Sequence, residues 1–597
     1  MRRPIRVANF SGATGDHVGA FAEVVHGAED VDVAIGDYLA EITMAMVAAG
    51  LDADAERLQA FHVPVFLAQL TPELATVAER GIKVVVNAGA FDPAGLADRV
   101  RQGVAEAGVD LRVAHVEGDD LLARVPELVA AGQLAHLDTG APADSVAERL
   151  LAANAYLGGW GITAALQAGA DIVVAGRVAD ANLVSGPAAW WHGWSPGDLD
   201  ALAGAVAAGH VIECGPQAVG GNFAGFTDLF AGRDSGPYLR RGFPIAEIAG
   251  DGSCVVTKRA GEGGAVSVDT VTAQLVYEIQ GPRYLNPDVV LHVDSLTLAD
   301  DGPDRVRMSG ARGTAAPSTT KVACFVPDGH RVVLMAMATG LDIDAKTGWL
   351  RDQMETVRSA LDLDAYDFTV LGRPADDPAS QAEATVVVRI AAAAAEPATL
   401  QRLSAGFSSF GLGGMPGFYG ELAPRAVQRR IDYWPGLVEQ SLVEHVAILP
   451  DGSRVAALAA PTAPFLGQPS EAATLPAYDG PGETRRVPLG RVAYARTGDK
   501  GGNANLGVWT PRPEAWPWLA SYLTAERVAE LLAVPDGVRV VRYPLPLIHG
   551  LEFVLHGYFG RSGSSNIGLD QIGKAVGEFL RARDVEVPVA LLGPAGE

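Results

Sequence analysis

IKVVVNAGAFDPAGLADRVRQGVAEAGVDLRVAHVEGDD, residues 82–120, is the stretch from which the fold is read. Ile82 to Asn87 and Leu111 to Val116 are continuously apolar runs of strand length. Between them, Pro93 to Ala107 places Leu96, Val100 and Val104 at i, i+4 and i+8, the spacing of an amphipathic helix. Strands with no polar alternation are buried on both faces, so the pattern is strand–helix–strand in a parallel sheet covered by helices. The alternation continues on either side. Ile5 to Phe10 reads as a first strand, followed by a turn and a helix from about Gly15. Val31 to Ile35 is a second strand, and Leu39 to Ala49 and Pro72 to Glu79 read as helices. Ser145 to Ala168 reads as helix and Asp171 to Ala175 as a further strand, closed by Gly176 to Asp180. Residues 1–240 are thus expected to form a Rossmann-like α/β lobe around a mostly parallel sheet.

The rhythm changes after about residue 240. Val255 to Lys258, Thr272 to Ile279, Val289 to Leu298, Val322 to Val326 and Glu383 to Ala394 read as strands, with one helix, Ala345 to Leu361, among them. This predicts a mixed, strand-rich second lobe over 241–457. Residues 458–486 are rich in Pro, Ala, Gly and Thr without periodicity, the composition of a linker. Residues 487–597 then form a compact unit. Strands are read at Val487 to Ala495, Ala504 to Thr510, Val538 to Tyr543 and Phe553 to Phe559. Helices are read at Trp516 to Leu532, with Thr524 capping its second half, and at Leu569 to Arg583. One sheet with helices on one face predicts a ferredoxin-like α+β domain.

The 597 residues carry a formal net charge of -25. That balance argues against nucleic-acid and anionic-membrane binding, which need concentrated Lys and Arg. Three cysteines, Cys214, Cys254 and Cys324, are too few and too scattered for a disulfide framework or C-x-x-C metal ligation. No signal-type apolar segment or run of about 20 apolar residues is present. A cytoplasmic protein is expected.

Chemistry-bearing residues gather where strands end. HVIECGPQAVGGNFAGFTDLF, residues 210–230, offers Glu213 after the strand-like pair Val211-Ile212, then Gly220, Gly221 and Asn222 in a glycine turn. Closely spaced glycines let backbone N–H groups approach a ligand. GATGD (12–16) brings Asp16, EGDD (117–120) brings Glu117 and Asp120, and GRVAD (176–180) brings Arg177 and Asp180. Each has a plain alternative: a strand–helix turn, an N-cap, an Arg–Asp pair. If all four segments follow parallel strands, Asp16, Glu117, Asp180 and Glu213 converge on one sheet edge, where such folds bind ligands. In the second lobe Lys321 follows a Thr/Ser-rich loop, and SAGFSSFGLGGMPGFYG (404–420) reads as a long binding loop. In the last unit RTGDKGGNAN (496–505) packs Arg496, Asp499 and Lys500 around glycines, in excess of what a turn requires. No Walker A, H-E-x-x-H or G-x-S-x-G motif occurs.

VEGDDL (116–121), AGRVADANL (175–183), the 210–230 stretch, GFPIAEIAGDGSCVVTKR (242–259) and DRVRMSGARG (304–313) resemble the acyclic terpene utilisation, or AtuA-like, family. ARTGDKGGNANLGVW (495–509) is similar to that family's C-terminal ferredoxin-fold domain. The resemblance implies a place in catabolism of acyclic terpenes through CoA thioesters, alongside a biotin-dependent carboxylase. It assigns no catalytic residue.

The expectation is an enzyme acting on a branched acyl-CoA or carboxylic acid by hydration, C–C lysis or thioester hydrolysis. Such chemistry needs a placed acid/base and an oxyanion site. Glu213 and Glu117 are the acid/base candidates. Asn222 and the N–H groups near Gly220 and Gly221 would polarise a carbonyl. Arg177 or Lys321 would hold an anionic group, with Asp16, Asp120, Asp180, Arg496, Asp499 and Lys500 as further substrate contacts. No redox cofactor or metal ligand set is implied; Mg2+ on the carboxylates is the one cofactor left open. A homo-oligomer is expected. The alternative is a non-catalytic binding subunit that docks on a carboxylase.

Overall fold

The computed structural model describes residues 2–50, 63–229, 231, 242–420, 426–469, 475–480 and 482–592. Its largest sheet has eleven strands. In spatial order they are Thr297–Asp300, Val306–Ser309, Cys254–Lys258, Pro244–Ile248, Ile5–Ser11, Val33–Gly36, Lys83–Val86, Ile172–Ala175, Val113–Glu117, Val446–Ile448 and Arg454–Ala456. The five strands from Ile5–Ser11 to Val113–Glu117 are parallel to one another. Both flanks are antiparallel. The expected parallel core is present, but the sheet as a whole is mixed. Antiparallel strands from 244–309 and 446–456 extend it at each side, so segments before and after residue 240 share one sheet. The boundary expected at 240/241 itself lies outside the described residues.

Several elements differ from the sequence reading. Val211-Ile212 is the end of a buried helix, Leu199–Ile212, not a strand. Its run of Ala and Gly lets it thread the core, and Val and Ile at its end imitate a strand start. Ser145 to Ala168 is not one helix: Ala152–Ala155 is a strand paired with Val322 to Phe325, and only Trp160–Gln167 is α-helical. Alanine favours helix, but tertiary pairing overrides so short a preference. Of Thr272 to Ile279, the residues to Leu275 belong to a helix, Val268–Leu275, opened by a capping box in which Ser267 and Thr270 bond reciprocally, and the rest is turn. The expected loop 404–420 is mostly the helix Pro397–Gly413.

A second sheet is built on one 21-residue strand, Thr319–Thr339. Its first half pairs with Gln428–Glu439 and Ala152–Ala155, its second with Thr385–Ala394, and the register shifts between Pro327 and His330. This strand carries Lys321 against the first sheet's neighbourhood.

The last domain has a four-stranded antiparallel sheet in the order Tyr494–Lys500, Asn503–Trp509, Gly550–His556, Arg539–Leu545. The expected loop 496–505 is therefore mainly strand, with only Gly501 and Gly502 between the two. Thr524 caps the helix Ala525–Leu532, accepting a bond from Arg527 N, as expected. The helix expected over Leu569 to Arg583 is α-helical only at Val576–Arg581. The strand Asn503–Trp509 is buried throughout, and its period-2 alternation explains why. Ala504, Leu506 and Val508 join the domain's own core. On the opposite face Asn505 bonds Val276 O, and Trp509 bonds Asp269. The sheet is sandwiched between its own helices and the large lobe. Among the described residues no helix is long and apolar enough to cross a membrane.

Candidate active site

The parallel strands end in polar residues that meet one another. Gly36 leads to Asp37, Val86 to Asn87, Glu117 to Asp119 and Ala175 to Arg177. Asp37 Oδ1 accepts from Asn87 Nδ2 at 2.6 Å and from Leu39 N at 3.1 Å. The helix Leu199–Ile212 delivers Glu213 to the same edge. Asn9, in the first strand, holds that turn by donating to the Glu213 carbonyl at 2.9 Å. Gly12 backs onto it so closely that a Cβ would lie 2.3 Å from the Cys214 carbonyl carbon. This close approach accounts for the glycine in GATGD.

Asp37, Asp180 and Glu213 each place a carboxylate oxygen within 4.8 Å of the other two. Burial, then the charges of Asp180 and Glu213, raise the Asp37 carboxyl well above its usual range. Burial and Asp180 do the same to Glu213. Glu213 also caps a helix C-terminus, where the helix dipole disfavours negative charge. One of its carboxyl oxygens, Oε2, is buried with no hydrogen-bond partner. His210, one turn earlier, lies 3.6 Å away and packs at a tilt against Tyr284. Burial, and then Lys500, push the His210 imidazole down to about 4. The result is a carboxyl whose surroundings favour its protonated form beside an imidazole that favours its neutral form. The three carboxylates are the oxygen donor set that could hold a divalent cation instead of protons.

A second layer of charge closes over this edge. Lys321 Nζ bonds Glu41 at 2.7 Å, and the hydroxyls of Tyr156 and Tyr433 donate to the same carboxylate. Burial would raise Glu41, but Lys321 and Lys500 outweigh it and hold the carboxyl down at about 2. Tyr156 stacks between two cations, with Arg177 Cζ 4.1 Å and Lys321 Nζ 4.2 Å from its ring. From the last domain, Lys500 bonds Glu278 at 2.7 Å and Lys574 bonds it at 3.2 Å. Glu278 sits at φ +55°, a left-handed conformation that a non-glycine residue adopts at a cost. Arg496 packs on Tyr277 and bonds Gln217. Burial, then Glu278, raise the Asp499 carboxyl to about 7.

The structure therefore brings together Glu213, Arg177, Asp180, Lys321, Arg496, Asp499 and Lys500. Arg177 is engaged through Nη1, with Asp180 at 2.5 Å and the carbonyls of Leu39 and Val178, while its Nε is buried without a hydrogen-bond partner. It is the structural pair that the sequence left as an alternative. Glu117 lies apart: it bonds Arg454 at 2.8 Å and His115 at 3.0 Å toward the sheet edge. Asp120 is exposed and caps Leu122, and Asp16 closes its own turn on Gly12 N and His17 N. The N–H groups of Gly220 and Gly221 donate to Gln217 O and Pro216 O, and Asn222 is an exposed turn residue at φ +54°. That turn is closed on itself, so the expected oxyanion site is not formed there.

Sequence reasoning missed Asp37, Glu41, Asn87, Glu278 and Lys574. Asp37 and Asn87 each follow a parallel strand directly, which is a signal. Glu278 was hidden in a segment read as a strand that is in fact a helix end and the turn after it, and nothing near Lys574 in sequence marks it.

Residues 5–449 match the family model described as acyclic terpene utilisation family protein AtuA. The chain belongs to the AtuA family. Residues 487–586 match the AtuA ferredoxin-like domain, the unit that supplies Lys500 and Lys574. No curated protein and no solved structure matches the chain. The family as named is one of acyclic terpene utilisation, and in this AtuA-family chain the polar cluster spans both matched regions.

Proposed function

We propose that this AtuA-family protein is a catabolic enzyme that performs acid/base chemistry on a branched acyl thioester or carboxylic acid, at the carboxyl ends of its parallel strands. The observation that carries this reading is Glu213: a buried carboxyl with one oxygen left without a hydrogen-bond partner, held among Asp37 and Asp180, whose company and burial favour its protonated form. A structural role leaves no reason for such a group, since a buried carboxyl oxygen without a partner costs about 1–3 kcal/mol. A carboxyl kept neutral near pH 7 is suited to deliver a proton to an oxygen that gains charge, and to take it back in the next step. Hydration, C–C lysis and thioester hydrolysis all contain such a step.

The cations around the cluster are already paired with Glu41 and Glu278. In this reading they hold the site's field and its closing domain in place, and do not bind substrate as first expected. A cleft of about 520 Å3 is lined in part by Tyr156, the ring that Arg177 and Lys321 approach. A carboxylase-docking role would put the functional surface outside the cluster and leave the free Glu213 oxygen unexplained.

The test is to incubate the purified chain with a panel of branched and unsaturated acyl-CoA thioesters and acids, and to follow mass changes. Conversion that disappears in Glu213→Gln, with the variant's circular dichroism unchanged, supports the reading. Conversion undiminished in that variant rejects Glu213, and a chain that converts nothing while co-purifying with a biotin enzyme favours the docking role.

A further inference from the structure

Three elements deliver the acids of the cluster, and each acid arrives with one oxygen already oriented. Asp37 directly follows the strand Val33–Gly36, and its N–H donates to Ser11 O at 2.8 Å. Asn87 Nδ2 and Leu39 N fix its Oδ1. Asp180 lies between the strand Ile172–Ala175 and the helix Asn182–His192, and Arg177 fixes its Oδ1. Glu213 caps the helix Leu199–Ile212, on a turn that Asn9 ties to the first strand. Among the described residues the other oxygens, Asp37 Oδ2, Asp180 Oδ2 and Glu213 Oε2, accept no hydrogen bond. Outer donors that hold one carboxylate oxygen and leave its twin open are what orient the acids of a metal site.

The charges here do not cancel. Among the described residues Arg177 is the only cation bonded to any of the three acids. Lys321 is bonded to Glu41, and Lys500 and Lys574 to Glu278. The His210 imidazole beside Glu213 favours its neutral form. Three carboxylates, with oxygens within 4.8 Å of one another, therefore share one guanidinium. Exposed acids crowd together without consequence because water solvates each oxygen. Glu213 is not in that position: its side chain is 8% exposed, and its Oε2 is buried without a hydrogen-bond partner. The Asp180 side chain, 20% exposed, gives the cluster a side open to solvent.

We propose that Asp37, Asp180 and Glu213 bind a hard divalent cation, one oxygen from each, and leave the rest of its shell to water or to a substrate oxygen. An all-oxygen donor set selects Mg2+, Mn2+ or Ca2+ over zinc and copper, which prefer nitrogen and sulfur. Three protein donors fill about half of a shell of six or more. Cation and proton are alternative occupants of Glu213, so Glu213 acts as an acid in the cation-free protein. The bound cation would do for a substrate oxygen what that proton does, taking up the charge it gains. Only this last step rests on the function proposed above; the binding itself does not.

Calorimetric titration of the full chain, stripped with EDTA and dialysed, with MgCl2, MnCl2 and CaCl2 tests this. The expected result is one cation bound per chain. Asp37→Asn keeps an Oδ1 acceptor for Asn87 and Leu39 N, so it is expected to fold with unchanged circular dichroism. Asp37→Asn and Glu213→Gln should each weaken binding about 10–100-fold or more. Glu117→Gln, which alters an acid outside the cluster, should bind as the wild type does. Electron paramagnetic resonance gives a second readout: the free Mn2+ signal should fall on adding wild type and persist on adding Glu213→Gln at the same concentration. Absence of binding by all three cations at millimolar concentration would overturn the proposal, and so would binding unchanged in both cluster variants. Binding is read apart from turnover. A chain that binds the cation and converts no thioester or acid supports this site and rejects the function above, and one that converts without binding does the reverse.

Discussion

Glu213 is drawn toward its protonated form by causes that act together: burial, two neighbouring carboxylates and the negative end of the helix it caps. Asp119 shows the same physics in a group with a structural task. It accepts from Arg177 N at 2.8 Å and Asn154 Nδ2 at 3.0 Å, and burial raises its carboxyl to about 6. An exposed aspartate titrates near 4, so the folded state binds this proton more tightly than the unfolded chain does. The stability it contributes is complete below about pH 4 and is lost as pH rises through about 6. Asp119→Asn keeps an acceptor for both donors and removes the titration. Its melting temperature should fall less than the wild type's between pH 4 and 7, leaving the variant ahead by up to about 3 kcal/mol at neutral pH; parallel curves for the two proteins would contradict this. At this scale the sequence was half legible. Glu213 and Asp180 could be named because each stands beside glycines where a strand was read to end, while Glu117, equally well placed in the chain, went to a sheet-edge ion pair whose partner, Arg454, is more than 300 residues away.

The helix Leu199–Ile212 decides where Glu213 stands. Gly204 and Gly209 let it touch its neighbours: a Cβ on Gly209 would lie 2.4 Å from Ala181 O. Gly209→Ala should therefore destabilise the fold by about 1–3 kcal/mol and reduce turnover by shifting His210 and Glu213, both within four residues. Urea denaturation and activity assay on the same variant check the two effects, and loss of neither would show that the close approach does not position the site. Thr524→Ala removes a cap distant from the cluster. It should cost about 1 kcal/mol in the same denaturation assay without changing activity. Strongly periodic elements such as Pro93–Ala107 were readable, and so was the Thr524 cap. Ala152–Ala155 and Val268–Leu275 were not, because a four-residue strand is set by its partner and a Val/Thr-rich helix by its capping box.

The whole molecule places the site between the mixed sheet of the large lobe and the outward face of the last domain's sheet. The two matched regions are joined there by buried charge, with Lys500 and Lys574 converging on Glu278. Removing one partner of such a set leaves the other desolvated and uncompensated. Lys500→Met is expected to cost about 3 kcal/mol, the low end for a broken buried pair because Lys574 remains. It should also unfold in urea with the last domain uncoupled, giving two transitions by tryptophan fluorescence; a single transition at the wild-type midpoint would contradict the role of Lys500. The alternation of strands and helices and the late compact unit were legible from periodicity. That strands from 244–309 and 446–456 would return to the first sheet was not, since nothing local in a strand says which edge it joins.

The central claim is that Glu213 is a protonated carboxyl at neutral pH. Difference infrared spectroscopy of the wild type against Glu213→Gln at pH 7 reads this directly. The account predicts a protonated-carboxyl carbonyl band in the wild type that is missing from the variant. An ionised-carboxylate band lost in its place would contradict it.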